Sequence, residues 1–188
     1  MKFIETELPG LFKIELEKRG DDRGFFARFF CVNEYKEQGL DSNVVQMNNS
    51  FTGDELTLRG MHYQLPPHAE TRIVRCLKGK LFDMSLDLRP DSPTFGKSFG
   101  TELTPENRTM MYVPKGFAHG FMTMEPDTEM LYLVTEFYAP EKERVIRWND
   151  PKFDMKWPKD PKHLSEKDEN APDFDPKVHL EGMEAIKI

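Results

Sequence analysis

The stretch "RIVRCLKGKLFDMSLDL", residues Arg72–Leu88, decides the fold class. It contains two runs with strand character, joined at Lys78-Gly79, where the glycine permits a tight turn. In the second run apolar and polar side chains alternate, so each set occupies its own face of a strand. The apolar face holds Phe82, Met84, Leu86 and Leu88, and the polar face holds Asp83, Ser85 and Asp87. The pattern predicts two antiparallel strands.

Similar short runs recur along the chain. They are "LFKIELEK" at 11–18, "RTMMYVP" and "HGFMTM" on either side of Pro114-Lys115-Gly116, and "EMLYLVTEFY" at 129–138. Short strands at regular spacing predict an all-β antiparallel sandwich or barrel, such as a jelly roll. One short helix is expected at Val32–Gln38, ended by Gly39.

We expect a single domain over residues 1–188, with 150–188 as an irregular C-terminal segment packing over the barrel. That segment is rich in Pro, Asp and Lys, which disfavour strand interiors. A disordered tail is the alternative.

Composition excludes several function classes. The formal net charge of −7 and pI of about 5.3 argue against nucleic-acid binding, which requires a basic face. No apolar run is long enough for a membrane span, and the N-terminus lacks a signal-peptide pattern. With only Cys31 and Cys76, a disulfide framework is not expected. We therefore expect a cytoplasmic protein.

The stretch "LTLRGMHYQ", residues 56–64, combines strand character with Arg59 and His62. A guanidinium is costly to bury unless it meets an anion, which favours a functional role over a structural one. These residues are three apart, so a regular strand would place them on opposite faces. A bulge at Gly60 would re-aim one of them. His119, in "YVPKGFAHGF", enters a strand in a similar context.

A metal centre is not expected from the histidine pattern. Cupin metal sites usually contain His-x-His, whereas Gln64 stands two residues after His62 and no His-x-His occurs. "PKGFAH" resembles only the second half of that metal signature. Without a metal, histidine is suited to acid–base chemistry. Its orienting carboxylate could be Asp168, although spacing does not distinguish Asp168 from the other acids of the tail.

Further polar residues allow two interpretations each. Tyr132 is either a wall residue or a proton donor. Arg72 shares a strand face with Val74 and Cys76, and if that face points inward Arg72 could stabilise an oxyanion. Gln46, Asn48 and Asn49 could bind hydroxyls or phosphates, or could form a turn. The dinucleotide loop, the phosphate loop and the G-x-S-x-G elbow are absent from the sequence, so nothing supports redox or kinase chemistry.

Eight segments in order resemble the dTDP-4-dehydrorhamnose 3,5-epimerase family of the cupin superfamily. They are "DDRGFFARFF", "LTLRGMHYQ", "VRCLKGKLFDMSLDLRPDSPTFGKSFG", "VPKGFAHGF", "LYLVTEFYAP", "RWNDP", "WP" and "LSEKD". The resemblance implies a homodimeric cupin-type jelly roll without metal or organic cofactor. It also implies epimerisation at C3 and C5 of a nucleotide-linked 4-keto-6-deoxyhexose, from dTDP-4-dehydro-6-deoxy-D-glucose to dTDP-4-dehydro-L-rhamnose.

By position, the resemblance implies His62 as the base, Asp168 as its partner and Tyr132 as the acid. A cation and an imidazole beside O4 would hold the enolate charge. Implied substrate contacts are Gln46, Asn48, Arg59, His119, Glu143 and Lys167, with Arg23 as a nucleotide contact reaching across the dimer.

Two departures from the family pattern qualify this interpretation. Arg72 replaces the usual Lys, which keeps the charge but changes the geometry at O4. Arg28 replaces a Glu at a nucleotide-contacting position and reverses its charge. A CDP- or GDP-linked substrate and epimerisation at one carbon are therefore kept as alternatives. A metal-dependent cupin enzyme and a non-catalytic carbohydrate-binding jelly roll are further alternatives.

Overall fold

The computed structural model describes residues 1–187, which form thirteen strands and a few short helices. The strands are β1 (Lys2–Glu5), β2 (Phe12–Glu15), β3 (Arg19–Asp21), β4 (Gly24–Phe26), β5 (Gln46–Thr52), β6 (Leu58–Gln64), β7 (Arg72–Lys78), β8 (Leu81–Asp87), β9 (Ser98–Leu103), β10 (Met110–Val113), β11 (Phe117–Thr123), β12 (Thr128–Val134) and β13 (Glu143–Val145). The α-helices are α1 (Val32–Glu37), α2 (Glu166–Glu169) and α3 (Pro176–His179), and Pro140–Lys142 and Met183–Ala185 form single 3-10 turns.

Two antiparallel sheets make up the body of the molecule. One has six strands in the order β1-β2-β10-β7-β12-β5, and the other has five in the order β13-β6-β11-β8-β9. The hairpin β3–β4 stands apart as a two-stranded sheet. The predicted all-β antiparallel fold is confirmed. Among residues 1–187, no helix combines the length and apolar character needed to cross a bilayer.

The two faces of β8 lie in different environments. Leu81 packs between the sheets with Val74, Met111 and Phe121. The apolar side chains Met84, Leu86 and Leu88 instead belong to a core on the other side of the five-stranded sheet. The polar face, Asp83, Ser85 and Asp87, is buried at no more than 1% exposure. Part of the barrel interior is therefore polar, which suits a binding cavity better than a packed core.

The C-terminal segment, residues 150–187, covers the outer apolar face of the five-stranded sheet. It contributes Phe153, Met155, Trp157, Phe174, Leu180, Met183 and Ile186 to the core built on β6, β8 and β11. Phe153 and Met183 are buried and the other five are partly buried. Full burial of such a side chain contributes roughly 1.5–3 kcal/mol and partial burial less, so together they hold an irregular segment without a sheet of its own. Ile188, the last residue of the predicted segment, lies outside the described residues.

Buried polar groups anchor the same segment to the body. The carboxylate of Asp150 accepts the N–H of Phe174 at 2.7 Å, and the hydroxyl of Tyr63 donates to the carbonyl of His179 at 2.8 Å. The amide of Leu58 donates to the carbonyl of His163 at 2.9 Å. The last contact brings the stretch before α2 beside β6, the strand that contains His62.

Helix α1 packs on the outer face of the six-stranded sheet through Tyr35, which is fully buried with Ile14 and Tyr112. It ends at Glu37, and Gly39 follows with φ of +71°, so the prediction of a helix stopped by this glycine is confirmed. Three predictions along the chain need correction.

The predicted strand at 129–138 is too long, because β12 ends at Val134. After that residue the chain leaves the six-stranded sheet, and the amide of Ala139 donates to Gln64 of the opposite sheet at 2.6 Å. The strand at 11–18 is likewise shorter, at Phe12–Glu15. The turn interpretation of Gln46, Asn48 and Asn49 is wrong, since all three lie within β5.

Candidate active site

A bulge in β6 brings the two functional residues of that strand to one face. His62 pairs with His119 of β11, whereas Arg59 pairs with Phe121, so three steps along β6 match two along β11. Gly60 lies at this point with φ of +125°, and a Cβ there would lie 2.6 Å from the Cα of Gly120. The predicted bulge is confirmed, and both Arg59 and His62 line the same cavity.

The cavity has a volume of about 540 Å³ and opens between the two sheets. All the predicted site residues line it except Arg23 and Arg28. Strand β5 contributes Gln46, Asn48 and Ser50; β6 and β11 contribute Arg59, His62, His119 and Phe121; β7, with the residues just before it, contributes Glu70 and Arg72; β12 contributes Met130, Tyr132 and Val134; and Tyr138, Glu143, Ser165, Lys167 and Asp168 complete the lining.

His62 and Asp168 form an imidazole–carboxylate pair in this cavity. The Nε2 atom of His62 lies 2.6 Å from Oδ1 of Asp168, and the carboxylate is 2% exposed. Because an ionised carboxylate only accepts hydrogen bonds, Nε2 carries the proton and Nδ1 keeps a free lone pair. The pair thus holds the imidazole in the tautomer that a general base requires.

Helix α2 and the bulge at Gly60 hold the Asp168 side chain in position. It lies on α2, whose first turn is capped by the Ser165 hydroxyl, which accepts the Asp168 N–H at 3.1 Å. The N–H of Gly60, in the bulge, approaches its Oδ2 at 3.5 Å. Burial alone would raise the pKa of Asp168, but hydrogen bonds from His62, Ser165 and Gly60 outweigh it and lower that pKa below its usual value.

This lowered pKa gives a stability prediction for Asp168→Asn. The folded pKa lies below the unfolded value of about 3.9, so the contribution of Asp168 is complete above that pH and is lost as pH falls through the folded pKa. At pH 7 we expect the substitution to reduce the free energy of unfolding by about 1–3 kcal/mol. Urea unfolding of both proteins should show this difference shrinking below about pH 4. A difference that grew in acid would contradict the assignment.

Tyr132 lies on the wall opposite His62. It belongs to β12 of the six-stranded sheet, paired with Asn48 on one side and Val74 on the other, whereas His62 belongs to the five-stranded sheet. Both side chains line the same cavity. A ring that lies parallel to the two sheets in this cavity would therefore present one face to the imidazole of His62 and the other to the phenol of Tyr132.

His119 forms a second imidazole–carboxylate pair, with Asp83. Its Nε2 atom lies 2.7 Å from Oδ2 of Asp83, and the two side chains are 4% and 1% exposed. In residues 1–187, Oδ1 of Asp83 and the Ser85 hydroxyl are buried without a hydrogen-bond partner. Asp83 was not predicted as a site residue. The sequence shows that Asp83 alternates with apolar neighbours, but it does not show which of the two faces of β8 points into the cavity between the sheets.

The mouth of the cavity is lined by a charged network centred on Glu143. Its carboxylate lies 2.6 Å from Nζ of Lys167 and accepts the hydroxyl of Tyr138 at 3.0 Å. Burial would raise the pKa of Glu143, but the bonds from Lys167 and Tyr138 lower it overall. Tyr138, a second residue missed from sequence, is 62% exposed and presents a ring at the opening.

Arg23 and Arg28 lie outside this cavity. Arg23 forms an ion pair with Asp21 on the β3–β4 hairpin, and its side chain is 89% exposed. Arg28 pairs with Glu34 at 2.8 Å. The chain by itself therefore does not bring these predicted nucleotide contacts to the other site residues.

Across residues 1–187, no cluster of three or more His, Cys, Asp or Glu side chains is arranged to hold a metal ion. The two cavity histidines each engage a carboxylate instead.

Comparisons with known proteins identify the family of this chain. The family model described as dTDP-4-dehydrorhamnose 3,5-epimerase matches residues 5–176. The enzyme of that name from Shigella flexneri is 40% identical over 175 residues, covering 93% of this chain and 96% of that protein.

Two solved structures are similar to this chain over most of its length. The dTDP-4-dehydrorhamnose 3,5-epimerase from Elizabethkingia anophelis has a TM-score of 0.88 at 40% identity, covering 93% of this chain and 96% of that one. The dTDP-6-deoxy-D-glucose-3,5-epimerase from Legionella pneumophila, in complex with dTDP-4-keto-L-rhamnose, has a TM-score of 0.86 at 36% identity, covering 94% and 96%. The predicted cupin-type jelly roll is thereby confirmed. The chain belongs to the dTDP-4-dehydrorhamnose 3,5-epimerase family.

Proposed function

We propose that this chain inverts C3 and C5 of a dTDP-linked 4-keto-6-deoxyhexose, with His62 as the base and Tyr132 as the acid. The observation that carries the proposal is the His62–Asp168 pair, with its Nε2···Oδ1 distance of 2.6 Å, facing Tyr132 across one cavity. Inversion of a carbon centre needs a base and an acid on opposite faces of the ring, and no redox step.

The proposed reaction moves one proton at a time. A C4 ketone acidifies the hydrogens on C3 and C5, and Nδ1 of His62 removes one of them to give an enolate. Arg72 and His119 supply the cation and the imidazole that stabilise negative charge on O4. Tyr132 then donates a proton to the carbon from the other face. The imidazolium and phenolate return to their starting states by proton exchange with water, and the cycle repeats at the second carbon.

The remaining cavity residues are assigned to substrate binding. Arg59 is the candidate phosphate contact because its Nε donates only weakly, to the Thr52 hydroxyl at 3.3 Å. Gln46 and Asn48 supply amide groups from the inward face of β5, and Glu143 and Lys167 act at the mouth. The relatives named above are epimerases of dTDP-linked sugars, which supports thymidine as the nucleoside despite Arg28.

The proposal includes a homodimer in which Arg23 and Arg28 reach the cavity of a second copy. Strand β5 is an edge of the six-stranded sheet, and its outward side chains Met47 and Phe51 are each 57% exposed. The β3–β4 hairpin likewise exposes Phe25 and Phe26. Apolar side chains beside an unpaired strand edge favour association with another chain.

If Arg23 acts in the cavity of the second copy of the dimer, two different impaired variants should complement each other. Co-expressed Arg23→Ala and His62→Asn chains, each impaired alone, should recover about a quarter of the wild-type activity, because half of the dimers contain one intact site. Sedimentation velocity would establish that the mixed population is dimeric. A dimeric mixture with no recovery would place Arg23 in its own chain's site, or in none.

Deuterium incorporation tests the reaction itself. The protein is incubated in heavy water with dTDP-4-keto-6-deoxyglucose, and uptake at C3 and C5 is followed by NMR. Uptake at both carbons supports the proposal, and uptake at one carbon identifies a mono-epimerase. If neither carbon exchanges, CDP- and GDP-linked sugars are tested next, and binding without exchange would identify a carbohydrate-binding jelly roll. Metal analysis of active protein distinguishes a metal-dependent cupin enzyme.

We also propose a cytoplasmic location. Cys31 and Cys76 are both free thiols, which favours a reducing compartment.

A further inference from the structure

Three cationic side chains line the cavity, and each has a different partner. Lys167 meets Glu143 at the mouth, where its side chain is 47% exposed. Arg59 meets only the neutral hydroxyl of Thr52. Arg72 meets Glu70, and this pair is the more enclosed of the two ion pairs, with side chains 18% and 10% exposed.

The contact between Glu70 and Arg72 has a defined geometry. Both Nε and Nη2 of Arg72 donate to the same oxygen, Oε1 of Glu70, at 3.0 and 2.5 Å. Two bonds from one edge of a guanidinium to one oxygen restrain the direction in which that edge, and therefore the opposite edge, points. They leave Nη1 outside the pairing. Because Glu70 and Arg72 both line the cavity, Glu70 determines the direction in which Arg72 presents its remaining donors.

We propose that Glu70 is a positioning residue for the epimerisation, holding Arg72 so that its free edge meets the oxyanion of the enolate. This inference rests on the proposed function. A donor that is fixed before the reaction stabilises developing charge without reorganising during it. A lysine in place of Arg72 would offer a single nitrogen, and Glu70 could not fix its direction in the same way.

Two opposing effects of Glu70 lead to a specific kinetic signature. Its negative charge reduces the positive potential felt by an anionic substrate, so its removal should not weaken binding. Its hydrogen bonds orient the donor for the enolate, so its removal should slow the chemical step. Interactions that strengthen only in the transition state affect kcat, whereas uniform binding affects KM. Loss of Glu70 should therefore lower kcat without raising KM.

The test is a double-substitution cycle with Glu70→Ala, Arg72→Lys and the combined variant. Glu70→Ala should lower kcat about tenfold at an unchanged or lower KM, but should change kcat less than about twofold in the Arg72→Lys background. Glu70→Gln, which retains an accepting oxygen, should give a smaller loss and serves if the alanine variant folds poorly. Glu181→Ala, which removes an ion-pair partner of Lys142 and Arg144 outside the cavity, is the matched control.

In an active enzyme, the inference would be overturned if Glu70→Ala lowered kcat equally in both backgrounds. It would also be overturned if Glu70→Ala raised KM and left kcat unchanged. A second measurement does not depend on catalysis. In a ¹⁵N spectrum of the arginine side chains, one Nε–H signal should be absent in Arg72→Lys and shifted in Glu70→Ala. If that signal does not shift, the pair does not form in solution. A wild-type protein that exchanges no deuterium with the dTDP-, CDP- or GDP-linked sugar would overturn the proposed function and this inference together.

Discussion

Replacing His62 by alanine is expected to abolish deuterium exchange at both C3 and C5 while leaving the fold intact. General acid–base catalysis contributes about 10²–10⁴-fold to a rate, and in the proposed reaction the same imidazole begins each half, so we expect a loss at the upper end. The side chain is 23% exposed and lies at the cavity wall, so its removal creates no void in a packed core. Exchange and inversion are measured together by NMR in heavy water.

Two further variants make this result specific. His62→Gln can place an amide N–H near the position of Nε2 and so keeps a donor for Asp168, and it should be as inactive as alanine but closer to wild type in its unfolding free energy. His68→Ala removes an imidazole that lies 3.8 Å from Glu136 and does not line the cavity, and it should retain activity. Exchange at the wild-type rate in His62→Ala would show that another group is the base.

Tyr132→Phe is expected to separate exchange from inversion. Without the phenol, the enolate can be reprotonated only from the face of His62, so deuterium enters with retained configuration. We expect inversion to fall by about 10²–10³-fold, while deuterium uptake continues at a measurable rate. The ratio of label incorporated to product formed is therefore the decisive quantity, and it should rise sharply over wild type.

The control for this substitution is Tyr35→Phe. The Tyr35 hydroxyl is buried under α1 and, within the described chain, has no hydrogen-bond partner, so removing it should cost neither activity nor stability. If Tyr132→Phe lost exchange and inversion in equal measure, Tyr132 would act in forming the enolate and not in its reprotonation.

Much of the fold followed from local pattern in the sequence. Alternation predicted an antiparallel all-β protein, and the three-residue spacing of Arg59 and His62 predicted the bulge at Gly60. These inferences succeeded because strand parity depends on neighbours in the sequence. Strand β13 was missed because it is three residues long, and it is a strand only through its pairing with β6.

The parts of the site that escaped prediction depend on contacts between distant residues. The partner of His62 is 106 residues away, and only the family resemblance distinguished Asp168 from other acids. Asp83 became a candidate only when the packing showed which face of β8 turns inward. Glu70 became one only when the structure placed the residues just before β7 in the cavity wall. A period-two pattern gives two faces, but it does not state which one is covered by the rest of the protein.

Asp168 lies in the C-terminal segment, far from His62 along the chain, and this arrangement has a consequence for activity. The last strand ends at Val145, whereas the carboxylate that pairs with the proposed base His62 lies on α2, in the segment that packs against the outer sheet and approaches Gly60. A chain cleaved before α2 would lack this carboxylate, and loss of the whole segment would also uncover the outer apolar face of β6, β8 and β11. Activity is therefore expected to depend on the least regular part of the molecule, and any event that displaces this segment would separate His62 from its partner carboxylate.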